Sequence, residues 1–125
     1  MPYDQRYGLL TGYQMEVVTS SHERLDRRSL AMHRLIADKI RAEPELFEIA
    51  SQNIERWMRT SGRHDHLLLT WSRLLRLGMT AALAVATEDS ERATELRQST
   101  PFAGVLSPQE RWSFLRKWNA TNSNT

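Results

Sequence analysis

At 125 residues the chain has the length of one compact domain, and its 40% hydrophobic and 26% charged residues describe a globular rather than a disordered protein. It has no cysteine, which excludes disulfide scaffolds, thiol catalysis, iron–sulfur clusters and cysteine zinc sites. Seventeen basic against fifteen acidic residues leave a net charge of only +2, too little to mark the chain as a dedicated nucleic-acid or membrane-surface protein.

Residues 1–19 show no helical period. Tyr3, Tyr7 and Tyr13 with Gly8 and Gly12 read as an irregular N-terminal arm that either packs back or offers tyrosines to an interface. There is no apolar run of secretory type, so the cytoplasm is the expected compartment. A helical domain is expected over 20–119, followed by a polar tail at 120–125.

Ser20 with Glu23 fits a capping box that opens a first helix. Leu25, Met32, Leu35, Ile36 and Ile40 follow at helical spacing as far as Arg41. Glu43-Pro44 closes that helix and opens a second, because proline fits the first turn but not the interior. Leu46, Phe47, Ala50, Ile54, Trp57 and Met58 recur at steps of three and four, the best amphipathic stripe in the chain.

His64-Asp65-His66 leads into Leu67, Leu68, Trp71, Leu74 and Leu75, apolar on more than one side and so central in a bundle. Gly78 interrupts or kinks this helix before the alanine-rich stretch from Met79 to Ala86. Asp89 is expected to cap a short helix ending near Gln98. Ser107-Pro108-Gln109-Glu110 then sets serine at the cap, proline first and glutamate third, and Trp112, Leu115 and Trp118 line the last helix. No segment reads as a strand. The expected fold is an all-α bundle of five or six helices.

Evidence for chemistry is thin. His64 and His66 lack the three- or four-residue spacing of helical zinc ligands, and His-Asp-His at a helix start serves better as a cap, so neither metal nor cofactor is expected. Arg28 with His33, and Arg59 with His64, match the R-x4-H spacing of the all-α HEPN ribonucleases. There histidine would act as acid–base and arginine as oxyanion stabiliser. The motif sits too early here, and Gly62 separates the second pair. The carboxylates at Glu43, Glu45 and Glu48, and at Glu88, Asp89 and Glu91, lie at helix starts where the macrodipole accounts for them.

Fifteen of the seventeen basic residues are arginines. A nucleic-acid contact would use Arg24, Arg27, Arg28 and Arg34 on the first helix, with Arg41 beyond them. Charge nonetheless alternates by helix: +3 over 20–41, −2 over 42–60, +2 over 61–78, −2 over 79–99 and +2 over 100–125. That pattern suits helices packing on one another, or a protein partner.

The segment Ser99 to Leu106 is apolar for a connection between helices. Phe102 either closes the end of the bundle or plugs a partner's pocket, and Gly104 permits the turn. Leu96, Arg97, Gln98, Ser99, Pro101 to Gly104, Leu106, Glu110 and Arg111 spell an LRQ-S-PFAG-L-ER pattern. Over about residues 29–118 the chain resembles a group of small all-α bacterial proteins that share it. The resemblance implies a non-enzymatic partner of a toxin in a toxin–antitoxin or accessory operon, and it brings no catalytic residues. The partner-binding candidates are Arg97, Pro101, Phe102, Gly104, Leu106 and Arg111.

Overall fold

In the computed structural model, residues 12–60 and 65–122 are described, with side-chain detail from residue 21. Six α-helices follow one another without a strand among these residues: α1 Gly12–Ala42, α2 Phe47–Thr60, α3 His66–Leu77, α4 Met79–Ala86, α5 Glu91–Arg97 and α6 Pro108–Asn122. A 3-10 turn, Pro44–Leu46, joins α1 to α2. The all-α bundle stands as expected.

The N-terminal boundary does not. α1 begins at Gly12 and runs unbroken for 31 residues, about 46 Å. Ser20 and Glu23 therefore lie inside a helix rather than at its start, and the expected arm loses its last residues to α1. Once a helix is nucleated by tertiary packing, each further residue propagates it at little cost. Tyr3 and Tyr7 fall outside the described residues. At the other end, α6 takes in residues 120–122 of the expected tail.

α1 is apolar on two sides, and the bundle takes Ile36 and Ile40 of the expected stripe but not Leu25 or Leu35. Leu30, His33, Ile36, Ala37 and Ile40 are buried, whereas Leu25 is 51% and Leu35 38% exposed. α2 behaves as its stripe predicts, with Ala50 and Ile54 in the core. α3 is capped by Asp65, whose Oδ1 accepts the Leu68 N–H at 3.0 Å, and it buries Leu68, Trp71 and Leu75.

Gly78 ends α3 and starts α4 in one residue, at φ 120°. No other residue type holds that angle without strain. Ala82 and Ala86 are small enough for α4 to lie close against α1 and α3. α5 is capped by Ser90, one residue after the expected Asp89; its Oγ accepts the Ala93 N–H. At α6 the capping box is present in both directions. Ser107 Oγ accepts the Glu110 N–H at 3.1 Å, and the Ser107 N–H donates to Glu110 Oε1 at 2.7 Å.

The core centres on Trp71, Phe102, Ile40, Leu68, Leu83 and Val105, all below 2% exposed. Two of these six belong to the connection between α5 and α6. α6 itself buries none of its residues. No described helix is long and apolar enough to cross a membrane.

Candidate functional site

The connection from Gln98 to Ser107 is pinned from three helices. Asn53 on α2 donates through Nδ2 to the carbonyls of Pro101 at 2.8 Å and Ala103 at 2.9 Å. Lys39 on α1 donates to the Val105 carbonyl at 2.8 Å and pairs with Glu110 Oε1 at 2.6 Å. Trp71 on α3 donates its indole N–H to the Leu96 carbonyl at 2.8 Å. Phe102 then inserts edge-on against Trp71, with ring centroids 5.6 Å apart and planes at 89°, and meets His33 at 6.3 Å.

This geometry corrects the docking candidates. Phe102 is 1% exposed, Pro101 is buried and Arg97 is 4% exposed, so none of the three is available to a partner while the bundle is folded. Phe102 fills the bundle's own pocket because α1 and α2 supply donors for the loop's carbonyls and α3 supplies the ring it packs on. Gly104 is exposed at φ 94° and makes the turn that sends Val105 inward. Leu106 is half-buried, and Arg111 lies exposed on α6 with Nη1 against Met32 Sδ at 3.7 Å.

Arg97 is an internal tie. Its Nη1 donates to the carbonyls of Ala86 at 3.0 Å and Glu88 at 2.8 Å, satisfying acceptors that the end of α4 leaves open. Its Nη2 reaches Thr94 Oγ1 at 3.3 Å, and its Nε is buried without a partner. Burial pulls the guanidinium pKa down, and the charges of Asp89 and Asp26 oppose that pull.

His33 is 4% exposed, with both ring nitrogens engaged. A carbonyl can only accept, so Nδ1 carries the proton given to Ser29 O at 2.7 Å. Nε2 then accepts from the Thr100 hydroxyl at 2.8 Å, and that oxygen in turn accepts the Phe102 N–H at 3.2 Å. Burial lowers the His33 pKa, the Ser29 bond raises it, and Arg97 lowers it further. An imidazole this enclosed cannot reach a phosphodiester, which removes the Arg28–His33 ribonuclease reading. His64 of the second R-x4-H pair lies outside the described residues. Among the described residues no three His, Asp or Glu side chains gather into a metal-binding group.

The arginines of the nucleic-acid reading do not form an open basic face. Arg27 borders a hollow with Glu23, Asp26, Asp89, Glu91 and Glu95, five carboxylates around one cation. Arg28 is half-buried, and Arg24 reaches the Asn122 carbonyl at 3.4 Å. Arg34 is exposed beside Arg97 and Trp118.

Among the described residues, α6 offers an exposed aromatic surface. Trp112 is 62% exposed, with the Arg116 guanidinium 5.8 Å from its ring centroid. Phe114 and Trp118 stack at 6.2 Å, both half-buried. They face an open groove of about 970 Å³ between α1 and α6, whose apolar floor adds Leu35 and Leu106. Comparison with protein-family models, curated proteins and solved structures gives no match.

Sequence reasoning missed the residues that pin the loop. Asn53 carried a signal, since it interrupts the apolar stripe of α2 between Ala50 and Ile54. His33 carried one too, three residues from both Leu30 and Ile36. Lys39 is one of only two lysines, at a position where a compact ammonium meets two separate oxygens rather than a planar pair. Each signal marks a polar group turned toward the rest of the fold without naming its partner.

Proposed function

We propose that this chain is a non-enzymatic helical protein-binding module of antitoxin or accessory type, acting in the cytoplasm and gripping its partner protein with α6. One observation carries the reading. α6 leaves all fifteen of its residues unburied while carrying Trp112, Phe114, Leu115 and Trp118. A domain seldom sets one tryptophan mostly in water beside an open groove floored by two further aromatic rings without a use for them. Tryptophan and arginine are also the residue types that most often anchor interfaces, and Trp112 stands next to Arg116. The LRQ-S-PFAG-L-ER resemblance supplies the antitoxin part. In that mechanism α6 lies across a toxin and blocks access to its working surface.

The alternative, a DNA- or RNA-binding regulator, finds less support, because carboxylates surround Arg27 and Arg28 is half-buried. The deciding experiment is recovery of the tagged chain from its own cells after nuclease treatment, comparing wild type with Trp112→Ala. A stoichiometric protein that survives nuclease and is lost from the variant supports the reading. Nucleic acid alone, released by salt, overturns it in favour of the regulator.

A further inference from the structure

Trp112 lies on the outer side of α6, and the groove beside it has a different character. Its charged rim consists of Asp38 and Glu110 against Lys39 and Lys117, two of each sign. A rim with no net charge offers nothing to a strongly acidic or basic partner. It can, however, match itself. Glu110, Phe114, Lys117 and Thr121 follow at steps of four, three and four and share one face of α6.

We propose that the groove is filled by α6 of a second copy of this chain, lying antiparallel about a twofold axis between Ser113 and Phe114. In that register Glu110 of each copy stands opposite Lys117 of the other, so two ion pairs form from one residue pair. Phe114 of each copy meets the small Ser113 of the other, a large side chain against a gap. Trp118 faces Gln109, and Thr121 faces Leu106 at the end of the groove. The two contacts that Glu110 makes within its own chain, with Lys39 and with the Ser107 N–H, both use Oε1. Oε2 is left for Lys117 of the second copy. Lys117 has no ion pair among the described residues that would have to be broken. The pairing leaves Trp112 uncovered, so a dimer still presents two copies of the outer face.

Sedimentation over a range of concentrations tests this on the full chain. Wild type is expected to pass from monomer to dimer. Ser113→Arg, which puts bulk and charge at the axis, is expected to remain monomeric with unchanged helicity. Lys117→Glu sits at an exposed position where folding is not at stake, and it is expected to weaken the dimer about tenfold or more. Because the chain has no cysteine, Ser113→Cys can be cross-linked with a short bismaleimide, expected in far higher yield than the exposed Thr80→Cys on α4. A wild-type chain that stays monomeric at every concentration overturns the proposal. So does a dimer indifferent to both Ser113→Arg and Lys117→Glu, which would have formed through another face.

Discussion

The Phe102 loop and α6 adjoin in sequence and look alike on paper, since each mixes bulky apolar residues with arginine. In the fold they are opposites. The loop has no regular structure, yet Pro101, Phe102 and Val105 are among the most buried residues of the chain. α6 is a well-capped helix, yet none of its residues is more than half-buried. Burial follows the supply of hydrogen-bond partners for the backbone. The loop's carbonyls meet Asn53 and Lys39, so the loop can leave water at little cost. α6 satisfies its own backbone internally and can remain at the surface, where Trp112, Arg116 and Lys117 are exposed.

The sharpest way to break this contrast is Phe102→Ala. It empties the space beside Trp71 and is expected to cost about 3–5 kcal/mol, a large part of a small domain's stability, read as the shift of the urea midpoint. Asn53→Ala should follow at about 2 kcal/mol, because it strands the buried Pro101 carbonyl and the part-buried Ala103 carbonyl without removing apolar bulk. If Asn53→Ala matched Phe102→Ala, hydrogen-bond supply rather than packing would be the main hold on the loop.

Acidification probes the same loop through His33. The folded chain keeps the ring neutral by lowering its pKa, whereas the unfolded chain takes up a proton near the ordinary value of 6.5. Unfolding therefore binds a proton below that value. The His33 contribution is whole above 6.5 and is lost as pH falls through the interval down to the lowered native pKa. Melting temperature should drop across that interval in wild type and change less in His33→Gln. Glu88, held at about 2 by hydrogen bonds from Arg92 and Ser90, and Glu110, lowered by Lys39, lose their own stabilisation only in more acid solution. The smallest effect is expected from Trp112→Ala, within about 0.5 kcal/mol of wild type in stability, with loss of the partner as its main consequence.

Local pattern foretold most of the helices because their causes are local. Pro44, Asp65, Gly78 and the Ser107–Glu110 box each act within one turn. The start of α1 was misplaced because a usable cap at Ser20 does not stop a helix that continues through it. The buried side of α1 could not be chosen from spacing, since Leu25 and Leu35 compete with Leu30 and Ile36. What selects the inner side is contact with α4 and α5, far along the chain. The fate of Phe102 was hidden for the same reason, because its pocket comes from residues 33 and 71 and its loop is held from residues 39 and 53. Pattern placed Trp112, Leu115 and Trp118 along the last helix, but not that Trp112 would stand in water while the other two are half-buried.

The three-helix hold on the loop also decides the order in which the molecule opens. Freeing the Phe102 and Val105 amides, which donate to Thr100 Oγ1 and to the Phe102 carbonyl, means withdrawing Phe102 from Trp71 and releasing α1 and α2 together. Those two amides should exchange with deuterium only as fast as the whole domain unfolds, while the amides of α6 exchange through local detachment. The irregular segment thus belongs to the last cooperative unit to open, and the helix beside it to the first.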